Sequence, residues 1–292
     1  MATDGIQKDI SVLRDNIAKL LSRQDGTKKQ LDIMSRILVD TVAKSMPNAT
    51  FEELCDTILS SLNDEDDIHV KVFTVGRLAE ISDRPSSLSD RDLFGDGDDA
   101  LAGTHGKIAY VKNTFNDKAF GHFSKSIKNP KSVFVQSFTD ACEEVFNNYA
   151  EYCILPISNT EDGRLFRFYS MLERYDLKIV KSFVTEKDDL SGNICFCLAG
   201  RHADLSLSKS KGLVFEFSLV RSSGDLLTKV GEIISLFGAD ILSVDTASVR
   251  YDDNASRYYF SVSAPISKLR AIALYLTLEY PDYTPIGIFG ID

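Results

Sequence analysis

Residues 138–172 read FTDACEEVFNNYAEYCILPISNTEDGRLFRFYSML, and the order of the patterns inside them decides the fold. Apolar residues recur at helical spacing through FTDACEEVFNNY, close up into the run YCILPI, and return to helical spacing in RLFRFYSMLERY. A polar turn carrying Gly163 separates the run from the second helix. An apolar run without polar alternation is a strand covered on both faces, and helices packed on the strands supply the cover. The stretch predicts an α/β layer. It also poses a chemical question: whether PISNT, at the end of the strand, is an active-site loop or a plain turn.

Working outward, KIAYV, SVFVQ, LKIVKSFV and ICFCLAG are further short runs rich in β-branched and aromatic residues, and FNDKAFGHFSKSI has helical spacing. Residues 106–205 are thus expected to form one α/β lobe. From Leu213 a second unit follows, over 210–292, with the order βαββαβ: LVFEFSLV, GDLLTKVGEIISLFG, DILSVDTASVR, RYYFSVSA after the turn YDDNAS, PISKLRAIALYLTLEY and TPIGIFG. That order is the ferredoxin-like arrangement of an α+β domain. Upstream, residues 1–62 read as a helical segment, with apolar residues at Ile10, Leu13, Ile17, Leu20 and Leu21, then a helix through KKQLDIMSRILVDTVAKSM, then one capped by Asn48 or Thr50. Residues 63–105, dense in Asp, Ser and Gly, read as a linker in which IHVKVFTVGRLAEI adds a short strand and a helical turn. The linker's FGDGDD lacks the spacing and terminal Glu of a calcium loop, so no metal is expected there.

The chain has 292 residues, 43% of them hydrophobic and 26% charged, with a formal charge of -10. Such a chain buries a sizeable core in two or three modules. Its negative charge, without a basic patch to offset it, argues against nucleic acid and anionic membrane surfaces as partners. The five cysteines, Cys55, Cys142, Cys153, Cys195 and Cys197, all sit in apolar segments, as reduced core thiols of a cytoplasmic protein do. Cys195 and Cys197 face one way on their strand, but with no second Cys/His pair nearby they predict no metal site.

The stretch LVRSSGDLLTKVGEIISLFGADILSVDT resembles the ACT domain, a small-molecule sensor attached to many enzymes of amino-acid biosynthesis. The resemblance implies a ligand carboxylate held by backbone N–H groups at Ser222, Ser223 and Gly224, where a loop enters a helix, and an apolar wall from Leu226 and Ile241. Asp245, Thr246, Ala247 and Ser248 stand where ACT domains of prephenate dehydratases usually carry a Glu-Ser-Arg-Pro-like motif.

The opening stretch itself is similar to prephenate dehydratase, whose helix and strand lead to Pro-Ile-Glu-Asn-Ser, two residues and Gly. Pro156, Ile157, Asn159 and Gly163 agree; Ser158 and Thr160 replace the Glu and the Ser. KIAYVKNTFNDKAF is similar to the family's first strand and Gly-Thr-Phe-Ser turn, through Thr114 and Phe115. The family's closing strand carries Asn-x-Thr-Arg-Phe, whose Thr and Arg serve the substrate, where this sequence has Ile194 and Cys195. An apolar side chain and a thiol replace neither the hydroxyl nor the guanidinium clamp. The lobe is also about half the length that a two-lobed domain needs, which predicts a cleft with one wall. ISVLRDNIAKLL resembles the opening of chorismate mutase, with Arg14 at its carboxylate-binding arginine and Arg36 as a second candidate.

The resemblance implies a catalytically inactive regulatory protein that binds an amino acid or an aromatic-pathway metabolite, without cofactor or metal. The degenerate catalytic positions are Thr114, Asn159, Thr160, Ile194 and Cys195. Two alternatives are a divergent prephenate dehydratase, a carbon-oxygen lyase of L-phenylalanine biosynthesis, and a structural oligomer. The apolar crowding of Ile272, Ala273, Leu274 and Leu276 predicts a homodimer or larger.

Overall fold

A computed structural model describes residues 26–62, 68–81, 105–185, 193–203, 212–221, 225–249 and 252–290. The chain divides into two compact units, Met1–Ser86 and Ser87–Asp292. The first helix expected from the sequence, Arg14 within it, and FGDGDD lie outside the described residues.

In the first unit, helix α1 covers 26–45, α2 Phe51–Ser60 and α3 Ile68–Glu80. Thr50 is the α2 cap: its hydroxyl accepts from the Glu53 N–H and the Glu53 carboxylate accepts from the Thr50 N–H. That reciprocal pair satisfies two N–H groups the helix cannot reach. The α3 segment corrects the sequence expectation of a strand and a helical turn inside a linker. Its β-branched residues suit a strand, but Val72, Val75 and Leu78 are buried at intervals of one helical turn. Tertiary burial outweighs the modest propensity difference.

The second unit is built on one mixed sheet. Its described elements are β1 (Lys107–Val111), α4 (Thr114–Phe123), β2 (Lys131–Val135), α5 (Phe138–Phe146), β3 (Tyr152–Asn159), β4 (Gly163–Arg164), α6 (Phe166–Arg174), β5 (Lys178–Thr185) and β6 (Ile194–Gly200). They are followed by β7 (Leu213–Arg221), α7 (Leu226–Leu236), β8 (Asp240–Val249), β9 (Asp252–Ala264), α8 (Ile266–Glu279) and β10 (Thr284–Gly290). The strand order is β2-β1-β3-β6-β5-β10-β7-β9-β8, with β4 paired to β3. Strands β7 to β10 are mutually antiparallel in the order β10-β7-β9-β8, as the ferredoxin-like pattern requires. β9 already begins at Asp252 and pairs it with Val249, so residues 252–256, expected as a turn, are strand.

The inner lobe strands β1, β3, β5 and β6 are largely buried on both faces. Along β6, Cys197 and Ala199 join a cluster with Cys142 and Val145 of α5 and Leu172 of α6, while Phe196 and Leu198 join Ala119 and Phe123 of α4. Period-two alternation sends neighbouring side chains to opposite faces, which is why ICFCLAG is apolar throughout. In the ferredoxin-like part the alternation has another content. Phe215 and Phe217 of β7 and Phe260 of β9 form a ring group on one face, whereas Glu216, Ser218 and Ser261 alternate with them and are buried on the other.

The two halves share the sheet through β10, which lies parallel to β5 at Gly287 opposite Ile179. A Cβ at Gly287 would overlap the Ile179 carbonyl oxygen, so glycine is what lets the two backbones meet. Helix α8 owes its apolar excess to burial: Leu269, Ala271, Ile272, Ala273, Leu274, Tyr275 and Leu276 are all buried within the single chain. The apolar crowding of α8 is therefore core packing. Large exposed apolar side chains stand instead at Ile33, Met34 and Ile37 of α1 and at Ile241, Leu242 and Val244 of the edge strand β8.

Candidate functional site

The end of β3 answers the question posed by PISNT in local terms. The Asn159 side-chain oxygen accepts from the N–H groups of Glu161 (3.0 Å) and Asp162 (2.5 Å), and its amide donates to Asp162 Oδ2 at 2.8 Å. This Asx-type closure turns the chain, and Gly163 follows at φ 69°, a backbone region that L side chains rarely adopt. β4 then folds back on β3, pairing Gly163 with Asn159 and Arg164 with Ser158. Asn159 thus spends its hydrogen bonds on the turn.

What the turn achieves is the placement of Arg164. Its guanidinium enters a cavity of about 390 Å³ lined by Ile157, Ser158, Ser182, Val184 and Cys195 from the lobe and by Val214, Glu216, Leu242, Ser243, Asp245, Ser261 and Phe289 from the ferredoxin-like strands. The expectation of a one-walled cleft is corrected here, because the polar face of the ferredoxin-like sheet forms the second wall. Arg164 Nε donates to Asp245 Oδ2 at 2.8 Å, Nη1 to Glu216 Oε2 at 3.2 Å, and Nη2 to Glu216 Oε1 at 3.4 Å, Ser243 Oγ at 3.3 Å and Ser261 Oγ at 2.9 Å. Its charge also lies 4.5 Å from the Tyr169 ring centroid. Glu216 is as fully engaged, accepting from the Tyr169 hydroxyl at 2.8 Å and the Ser261 hydroxyl at 2.7 Å besides Arg164.

Burial opposes the charge on Arg164, yet Glu216, Tyr169 and Asp245 together hold its pKa above the ordinary arginine value. Burial, and then the Glu216 charge, push the Cys195 thiol up to about 11, and burial raises the Cys197 thiol well above its ordinary value. These are protonated core thiols at neutral pH, without nucleophilic character. Among the described residues no group of three His, Cys, Asp or Glu side chains is placed to hold a metal ion.

Of the five expected catalytic positions, the cavity takes in Asn159 and Cys195. Thr114 is the exposed first residue of α4, beside its cap Asn113. Thr160 is exposed, with its N–H bonded to the Asn193 carbonyl. Ile194 packs against the opposite cluster, on the other face of β6 from Cys195. Ser222, Ser223 and Gly224 of the expected ligand loop lie outside the described residues. Leu226 is buried at the start of α7, whereas Ile241 is 42% exposed on β8, so this pair does not make a closed apolar wall. Arg36 is held by Asp32 and Glu80. Arg164 and Glu216 escaped the motif comparison. The available signal was Glu216 itself, a lone charge inside the strand run LVFEFSLV, which requires a buried cation.

Comparison with known proteins accords with this geometry. Residues 109–205 match the family model described as prephenate dehydratase. This segment is prephenate dehydratase-like. Comparison with curated protein sequences gives no match. Among solved structures, prephenate dehydratase from Streptococcus mutans superposes with a TM-score of 0.55 at 14% identity, over 63% of this chain and 98% of that one. Prephenate dehydratase from Arthrobacter aurescens, in complex with L-Phe, gives 0.52 at 8% identity, over 63% and 90%. A protein described as a novel type of quorum quenching acylase gives 0.50 at 15%, over 64% and 95%. At these identities the likeness is one of fold, and an acylase within the set underlines that the dehydratase-like fold does not dictate a reaction.

No helix among the described residues is long and apolar enough to cross a membrane.

Proposed function

We propose that this dehydratase-like protein has lost turnover and acts as a regulatory protein that responds to an amino acid through its ferredoxin-like, ACT-like unit. The observation that carries the loss of turnover is the state of Arg164. Prephenate is a dicarboxylate, and a site for it needs cations free to pair with it. Among the described residues the one guanidinium lining the cavity is already engaged by Glu216 and Asp245, which leaves that lining with more negative than positive charge. Ile194 and Cys195 at the Thr and Arg positions of the family motif point the same way.

Amino-acid binding is supported by the resemblance of the Ser222–Leu226 loop to ACT ligand loops, and L-Phe, present in the Arthrobacter structure, is the first ligand to test. A second reading, a divergent prephenate dehydratase, draws on the fact that Arg164 shares a cavity with Cys195: the guanidinium has changed strands rather than vanished.

A chromatographic assay for phenylpyruvate separates the two. Purified protein given prephenate yields none above background. Turnover that disappears in Thr114→Val or Asn159→Ala would establish the enzyme. A thermal-shift screen of amino acids tests the sensor, since a ligand of the folded state raises its melting temperature. Gly224→Val abolishes the shift while sedimentation still shows the same oligomer; an unchanged shift moves the site away from this loop.

A further inference from the structure

The same cavity has a polarity that neither catalysis nor the loop at Gly224 uses. Among the described residues its charged lining is one guanidinium and two carboxylates. Glu216 is the fixed counter-ion of Arg164, with both of its oxygens filled by Arg164, Tyr169 and Ser261. Asp245 is the surplus charge. Its Oδ2 takes the Arg164 Nε–H, its Oδ1 has no partner among the described residues, and its side chain is 35% exposed at the rim. A second group also stands unused: Ser182 lines the cavity and is 4% exposed, yet its hydroxyl has no hydrogen-bond partner among the described residues. Strand pairing sets Ser182 opposite Cys197 and Val184 opposite Cys195, so the Ser182 side chain is on the cavity face of the sheet. Ile157, Val184, Val214, Leu242 and Phe289 supply apolar wall between the polar groups of the lining.

We propose that this cavity binds a small organic ammonium with an apolar body, the ammonium pairing with Asp245 Oδ1, the Ser182 hydroxyl supplying a further acceptor, and the body lying against the apolar walls. An anion is disfavoured because Arg164 is already engaged and the surplus charge repels it. A divalent metal needs several free oxygen ligands, and one carboxylate oxygen does not supply them. The volume of about 390 Å³ is in the range of small-molecule sites and has room for an aromatic ring on a short chain. Two kinds of compound carry the required group, a primary amine and an α-amino acid with an apolar side chain. The inference is independent of the loop at Gly224.

Calorimetric titration of the full chain at pH 7 with three ligands of one skeleton tests it: 2-phenylethylamine, L-phenylalanine and 3-phenylpropanoate. The amine binds and the propanoate does not. Asp245→Asn weakens amine binding at least tenfold, while Asp240→Asn, an exposed carboxylate on the same strand, leaves it unchanged. Ser182→Val, which fills the cavity without altering charge, weakens it as well and serves if Asp245→Asn does not fold. Phenylalanine binding that falls with the amine in these variants assigns the amino acid as the physiological class; amine binding alone assigns the amine. Phenylalanine binding lost in Gly224→Val but kept in Asp245→Asn belongs to the loop, and the amine titration then decides this cavity on its own. Absence of amine binding with phenylalanine insensitive to Asp245→Asn, propanoate binding more tightly than the amine, or amine binding unaffected by both cavity variants would each overturn the proposal.

Discussion

Arg36 and Arg164 are each held by two acidic side chains, and they have opposite consequences for the molecule. Arg36 meets Asp32 and Glu80 with its side chain 44% exposed, and Glu80 passes on to Arg77 and thence to Asp40. Arg164 meets Glu216 and Asp245 with 7% of its side chain exposed. Water and salt screen the first set, and such pairs contribute from nothing to about 1 kcal/mol. The second set has left water, so each partner is needed to offset the desolvation of the other, and the sign of the leftover charge selects what can enter the cavity. The exposed set has more of these ion pairs than the buried one; burial, not number, decides which of them is structure and which is surface decoration.

The widest gap between the regions is expected for Glu216→Ala. It strands Arg164 in the interior, and denaturant unfolding should show a loss of about 3–5 kcal/mol. Arg164→Met combined with Glu216→Leu should recover much of that loss, because neither charge remains buried alone; a double variant as unstable as Glu216→Ala would mean the network matters for shape rather than charge. Next in size is Gly287→Ala at the junction of β10 with β5. The added methyl meets the Ile179 backbone, and overpacking of this kind costs about 1–3 kcal/mol.

The buried region should also show a one-sided pH response. The Cys195 thiol is raised from 9.0 to about 11, so the protonated form is the one the fold favours. Its contribution to stability is fully present below pH 9.0 and is lost as pH rises through about 11. At pH 7.5 iodoacetamide followed by mass spectrometry should leave Cys195 unmodified in the folded protein and alkylate it in urea. Arg36→Ala closes the series, with a loss below about 1 kcal/mol that shrinks further in high salt, whereas the Glu216→Ala loss should persist there.

Where residues act through their own neighbours in sequence, the architecture was readable. KIAYV, ICFCLAG and TPIGIFG coincide with β1, β6 and β10 end to end. Their boundaries were legible because both faces of these strands are covered and turn residues flank them. The ferredoxin-like order was readable for the same reason. The cavity was not, since Arg164 reaches Glu216 across 52 positions and Asp245 across 81. Such pairings depend on strand order in the sheet, which local periodicity does not encode. The motif comparison directed attention to Asn159, which closes a turn, and to Cys195, which supplies wall, while the charged centre came from Arg164, one residue past the motif. The α3 segment failed for a different reason, its β-branched residues being overruled by burial at helical spacing.

The position of β10 sets an order in time. It is the last strand of the sheet along the chain, yet it lies between β5 and β7 and is the only described strand that pairs with both. The lobe and the ferredoxin-like strands can each begin to fold around their own helices, but the two walls of the cavity are brought edge to edge when residues 284–290 find their place. Contacts this distant in sequence form slowly relative to local ones. A chain interrupted before Thr284 would keep most of its helices and strands and still lack a finished cavity, so that secondary-structure content would be a poor guide to whether such a chain can recognise anything.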